Sequence, residues 1–177
     1  MTDVGQPDGL ERLWTPHRMT YIAGENKPHG ATGKPADCPF CLAPSTPEAD
    51  SLVVARGDRV YAVLNLYPYN PGHLLVCPYR HLADYTELDE QETVELAAFT
   101  RKAMRVLRQA SSPHGFNIGM NQGAVAGAGI AAHLHQHLVP RWGGDVNFMP
   151  VIGQTKVLPQ LLTDTRVMLA KAWTEVA

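Results

Sequence analysis

Three histidines stand on alternate positions in HLHQHL, residues 133–138. Alternation is the period of a β-strand, so His133, His135 and His137 are predicted to share one face. A strand that merely half-buried that face would carry Val or Ile, because each imidazole costs energy to desolvate. Two chemistries use such a row. One is metal binding, as His-x-His does in several zinc enzymes. The other is nucleophilic catalysis, in which one imidazole attacks while its neighbours tune it. Phosphorus suits that nucleophile, because the phosphoramidate it forms is labile enough to be broken again.

The stretch before the histidines, GMNQGAVAGAGIAA (119–132), is a polar pair followed by small residues. Gly and Ala let backbone N–H groups approach an anion closely and cradle phosphate oxygens. There is no Walker lysine and no GxGxxG opening a helix, which excludes a P-loop and a dinucleotide-binding turn. Beside three histidines, the cradle makes phosphate chemistry the leading reading. Upstream, Cys38-Pro-Phe-Cys41 reads as half a zinc site, a redox pair or an accident. The redox reading needs a thioredoxin-like βαβ context that the chain does not offer. A zinc site needs two more ligands. Cys77, inside HLLVCP, reads as an inert core thiol, and His81 is better placed as a third ligand.

The elements that must position these groups follow from periodicity. LVVAR (52–56) and RVYAVLN (59–65), separated by Gly57-Asp58, predict a hairpin with a type I′ turn. HLLVCP (73–78), GFNIGMN (115–121) and HLHQHLVPR (133–141) read as three more strands. Residues 88–110 switch to helical spacing through Leu96, Phe99, Ala103, Val106 and Ala110, with Asp89 and Glu92 as a capping pair and Ser111-Ser112-Pro113 as the stop. A closing helix over Leu161, Leu162, Thr165, Met168, Leu169 and Ala172 is predicted to start at Pro159. Strands on both sides of one long helix predict an α+β domain: a five-stranded antiparallel sheet with that helix and a C-terminal one. Residues 1–37, rich in Gly and Pro, read as an extended arm in which Leu13, Trp14, Tyr21 and Ile22 pack on something. Residues 38–177 read as a single domain. After the histidines, Trp142 and Phe148 either stack on a base or close the core.

Bulk properties narrow the partners. Apolar content of 45% and charged content of 18% over 177 residues describe one ordinary globular domain. A net charge of −2 offers no basic face for nucleic acid or an anionic membrane. No apolar run reaches the roughly 18–20 residues that span a bilayer, and MTDVGQPDGLERLW is no secretory signal. Three cysteines are too few, and odd in number, for a disulfide framework, so a cytoplasmic setting is expected.

The run His133-Leu-His-Gln-His-Leu-Val139 resembles the histidine-triad family pattern, His-φ-His-φ-His-φ-φ with φ apolar. Asn65 with PGH (71–73), Gln122, AGAG (126–129) and VPR (139–141) also look like family features, so the likeness spans about residues 38–145. Gln136 departs, being polar where the pattern is apolar. The resemblance implies a five-stranded antiparallel sheet, a homodimer, and cleavage of nucleotides at the α-phosphate through a covalent nucleotidyl-histidine. By position it implies His135 as nucleophile and His137 as donor to phosphate or the bridging oxygen, with His133 orienting its neighbours or holding metal. It implies Asn65 at ribose, Gln122 at phosphate, and His73, Asn121, Gly127, Gly129 and His137 within the nucleotide site. In zinc-bearing members the matching set is Cys38, Cys41, His81 and His133, a closed structural site. LERLWTPHRMTYI (10–22) and RWGGDVNFMPVIGQTKVLPQLL (141–162) resemble the bacterial diadenosine-tetraphosphate phosphorylase branch. That implies a purine dinucleoside polyphosphate as substrate and phosphate as acceptor, although Gly129 stands where that branch can place a small hydroxyl residue. Four alternatives stay open: a hydrolase or a nucleoside phosphoramidase using water, a zinc hydrolase with the triad as its metal site, and a zinc-stabilised nucleotide-binding module with little turnover.

Overall fold

The computed structural model describes residues 35–47, 50–145 and 160–177. The aromatic islands of the arm, Phe148 and Pro159 lie outside the described residues. Five strands form one antiparallel sheet: β1 (Val53–Arg56), β2 (Val60–Leu64), β3 (Leu74–Pro78), β4 (Gly115–Met120) and β5 (Gln136–Arg141). Their order across the sheet is β1-β2-β3-β5-β4, so the histidine strand lies inside and β4 is an edge. Among the described residues three α-helices accompany it: α1 (Pro39–Leu42), α2 (Glu90–Ser111) and α3 (Leu162–Glu175). The predicted α+β architecture is present, with α1 as an element the sequence reading did not separate from its loop. None of the described helices is long and apolar enough to cross a membrane.

The sheet is covered on both sides, which is why β2 and β3 are apolar at every position. Leu64, Leu74 and Leu138 face α2 and α3, packing with Ala103, Val106, Leu107, Leu169 and Ala172. The alternate residues Tyr61, Val63, Leu75 and Cys77 face the other way, against Cys38 and Phe40. The second face carries the chemistry. Leu75 pairs with His137 across β3 and β5, which sets the triad's strand on that side.

Helix α2 starts as its sequence requires. Asp89 accepts from the Glu92 N–H (2.8 Å) and Glu92 accepts in return from the Asp89 N–H (2.9 Å). Glu92 is buried, and Arg80 at the end of β3 meets its carboxylate with two contacts of 2.6 Å. The helix stops at Ser112, in the left-handed region at φ 47°, just before Pro113.

Three expectations need correction. The β1–β2 turn is not type I′, because neither Gly57, Asp58 nor Arg59 has a positive φ. Gly57 N–H instead donates to the Val60 carbonyl (2.8 Å), and Glu95 from α2 accepts from the Asp58 N–H (2.8 Å) and the Arg59 N–H (3.1 Å). That carboxylate stabilises a turn the loop residues alone do not specify. Gly57 is there for close approach, since a Cβ would sit 2.6 Å from the Phe99 ring. Second, α3 begins at Leu162 rather than Pro159. Third, β5 begins at Gln136, so His133 and His135 precede the ladder. The Pro78 carbonyl, where the ladder would continue, accepts from the His133 ring instead (2.9 Å).

Gln136 itself has an explanation. It faces the helices, opposite Val76 and Met120, and its Oε1 lies 3.3 Å from the Thr100 hydroxyl of α2. A polar residue on the strand meets a polar residue on the helix.

Candidate active site and metal centre

The three histidines do not do the same thing, and their hydrogen bonds show why. His133 is 1% exposed and donates Nε2–H to the Pro78 carbonyl, which turns its Nδ1 lone pair towards the two sulfurs. His135 donates Nδ1–H to the His133 carbonyl (2.8 Å), so its Nε2 keeps a lone pair. For His137 the partner is His73, whose Nε2 lies 2.9 Å from His137 Nδ1. His73 Nδ1 accepts from the Tyr69 N–H (3.1 Å). His73 therefore carries its proton on Nε2 and donates to His137, whose own proton sits on Nε2. The result is a lone pair on His135 beside an N–H donor on His137, with ring centroids 5.0 Å apart.

Burial keeps these rings neutral. Desolvation, assisted by the neighbouring His135, pushes His137 down to about 4. His135 is also lowered, mainly by burial. A neutral imidazole is the form that attacks phosphorus.

Next to the triad, Cys38, Cys41, His81 and His133 present four ligand atoms within 4.8 Å of one another. Pro39 starts α1 immediately after Cys38, and one helical turn brings Cys41 back to the same side, its N–H on the Cys38 carbonyl at 3.0 Å. Cys38 Sγ is 3.4 Å and Cys41 Sγ 3.5 Å from His133 Nδ1, and Cys41 Sγ is 3.2 Å from His81 Nδ1. A tetrahedron with metal–sulfur bonds of about 2.3 Å and metal–nitrogen bonds of about 2.0 Å has S–N edges of roughly 3.5 Å. The four residues therefore fit a closed metal site. Cys77 is fully buried, with its thiol pushed up by desolvation, and takes no part.

Phe40, between the two cysteines, packs its ring 5.5 Å from His133 and 4.8 Å from His135. The Tyr61 hydroxyl donates to the Phe40 carbonyl (2.6 Å), so the core of the sheet fixes the position of that ring. Phe40 and Tyr69 were not singled out as site residues in the sequence, although Phe40's place between two ligands marks it. Tyr69 lies parallel to His137 at 5.9 Å.

The residues read as nucleotide contacts divide. Asn121 is half-buried at the end of β4 and lines a pocket with His137. Gln122 is exposed, and its Oε1 accepts from the Tyr85 N–H (2.6 Å), which leaves its NH2 as the outward end. Asn65 is half-buried; Oδ1 accepts from the Tyr67 N–H (3.0 Å), while Nδ2 lies 3.4 Å from His73 Nδ1. His73 is 0% exposed with both ring nitrogens engaged, and its ring meets His137. Gly127 takes φ 88° and its N–H donates to the Ala124 carbonyl (3.0 Å). The turn uses its positive φ, and Gly129, two residues on, is half-buried. Trp142 is tied into the fold, its Nε1–H donating to the Ser111 carbonyl (3.2 Å).

With the geometry described, comparison with known proteins is informative. The HIT domain family model matches residues 46–144. AP-4-A phosphorylase of Mycobacterium tuberculosis is 55% identical over 172 residues, covering 96% of this chain and 88% of that protein. The bis(5'-nucleosyl)-tetraphosphatase (asymmetrical) of Schizosaccharomyces pombe is 36% identical over 95 residues, 54% of this chain and 52% of that one. Among solved structures, a histidine triad nucleotide-binding protein from Sulfolobus tokodaii aligns with a TM-score of 0.65 at 26% identity, over 78% of this chain and 93% of that chain. A Zn-bound histidine triad family protein from Mycobacterium smegmatis shares the fold, with a TM-score of 0.64 at 23% identity over 80% of this chain and 96% of that chain. The chain belongs to the HIT, or histidine-triad, family.

Proposed function

We propose that this chain is a nucleotidyltransferase that cleaves dinucleoside polyphosphates, diadenosine tetraphosphate among them, at the α-phosphate. The observation that carries the reading is the pairing of tautomers: an Nε2 lone pair on His135 beside an Nε2–H on His137. His135 Nε2 attacks the α-phosphorus in line, forming a P–N bond as the P–O bond to the β-phosphate breaks. His137 Nε2–H donates a hydrogen bond to the departing oxygen, which leaves as the polyphosphate anion, while His73 Nε2–H donates to His137 Nδ1 and holds that tautomer. The acceptor then attacks phosphorus, losing its proton to solvent, and the P–N bond breaks with its electron pair returning to His135 Nε2, which releases the nucleotide. Phosphate as acceptor is supported by the 55% identity to a protein named for phosphorolysis. Water is the second reading, favoured by Gly129, which offers no hydroxyl to a bound phosphate.

Zinc is the metal we assign to Cys38, Cys41, His81 and His133. Burial and the neighbouring Cys38 push the Cys41 thiol up to about 11, so a bound cation would be what holds that sulfur as a thiolate. The role is structural, tying α1 and Phe40 to the catalytic segment. The division into an arm over 1–37 and one domain over 38–177, and a homodimer, belong to the same reading; the exposed edge strand β4 is the feature that supports the dimer.

Incubation with diadenosine tetraphosphate, with and without inorganic phosphate, tests the activity. ATP and ADP formed only with phosphate are expected. AMP and ATP formed regardless of phosphate would move the assignment to a hydrolase.

A further inference from the structure

In-line attack fixes where the leaving group lies. It must stand opposite His135 Nε2 across the α-phosphorus, on the side where His137 holds its proton. The acceptor must enter from that same side, because His135 departs from the other. Past His137 the site face of β5 continues as Val139 and Arg141, and β4 sets Asn117 opposite Val139 and Gly119 opposite His137. Together with Tyr69 these residues line a pocket of about 410 Å³.

Its floor is shaped for an elongated ligand. Gly119 has open space where a Cβ would project, so nothing rises from the strand opposite His137. Asn117 lies one cross-strand pair further out, about 7 Å along the strand. That distance corresponds to about two phosphoanhydride links beyond the scissile bond.

The Asn117 amide is held in one orientation. Arg141 donates Nη1–H to its Oδ1 (2.8 Å), which leaves the Nδ2 hydrogens as the donors on offer. Arg141 is itself fixed by Asp145 through contacts of 2.6 and 2.9 Å. Asp145 also accepts from Asn70 Nδ2 (2.7 Å) and the Trp142 N–H (3.1 Å). A four-residue chain from Asn70 to Asn117 thus ends in a neutral donor. The guanidinium charge is balanced by Asp145, so a polyanion meets hydrogen-bond donors without an unpaired cation that would retain the product.

We propose that this pocket is the leaving-nucleotide subsite, with Asn117 donating to the distal phosphates of the departing nucleoside polyphosphate and so setting preference for long polyphosphate leaving groups. This rests on the dinucleoside polyphosphate reading above. The test compares kcat/KM for diadenosine tetraphosphate and for adenosine 5′-phosphoramidate, whose leaving group has no distal phosphates. Asn117→Ala is expected to lower the tetraphosphate value about tenfold or more, and the phosphoramidate value by far less. Gly119→Val, which fills the floor without touching Asn117, is expected to discriminate in the same direction. Equal losses on both substrates, or no loss on either, in folded variants would overturn the subsite. A wild-type chain that cleaves the phosphoramidate and not the tetraphosphate would overturn the substrate reading, and the subsite with it.

Discussion

His73 Nε2 lies 2.9 Å from Nδ1 of His137, and the Tyr69 N–H on the other nitrogen of His73 decides which ring donates. One backbone amide thereby sets the tautomer of the His137 imidazole one further ring away. His73→Asn, which removes that donor while keeping a polar side chain, is expected to lower kcat by about 10²-fold. The loss should be smaller for substrates with better leaving groups, because their departing oxygen needs less hydrogen-bond stabilisation. A uniform loss across leaving groups would point to a packing defect instead.

The pH dependence follows from burial. His137 is pushed from 6.5 down to about 4, so the folded protein resists a proton that the unfolded chain binds below 6.5. Stability is therefore expected to be level above pH 6.5 and to fall as the pH drops from 6.5 towards 4. The acid limb of kcat/KM should likewise lie well below the ordinary imidazole range. Urea midpoints and initial rates across that window measure both, and an acid limb centred near 6.5 would contradict the buried neutral pair.

Metal removal should affect folding before chemistry. Metal analysis is expected to find about one zinc per chain, and His81→Ala to lose it. Loss of the ion should lower the melting temperature by about 10 °C or more, since it ties α1 to the catalytic segment. Metal-free protein of unchanged melting temperature would remove the structural role.

The β1–β2 turn offers a stability test away from the site. Gly57→Ala would drive a Cβ into Phe99 and Glu95, at a cost of about 1–3 kcal/mol by chemical denaturation. Activity per folded molecule should be unchanged.

Where the chain's own period or caps determine structure, the sequence is legible: five strands and both ends of α2. The candidate metal ligands Cys38, Cys41, His81 and His133 are legible from residue type together with family likeness, and the structure brings them together. What escaped depends on partners distant in sequence. The turn at Asp58 is stabilised by Glu95, 37 residues on. Gln136 looked anomalous until Thr100 of α2 stood beside it. Nothing local reveals that His73, 64 residues before His137, is buried against it. The strand period placed the three histidines near one another, but only Pro78, the His133 carbonyl and His73 divide their roles.

The central claim is a covalent nucleotide on His135, and intact-mass spectrometry after alkaline quench during turnover of diadenosine tetraphosphate tests it most directly. A mass increase of one AMP, mapped to His135, discharged by added acceptor and absent from a folded His135→Ala variant, is the predicted result. Turnover without any adduct, or near-normal turnover by His135→Ala, would contradict it.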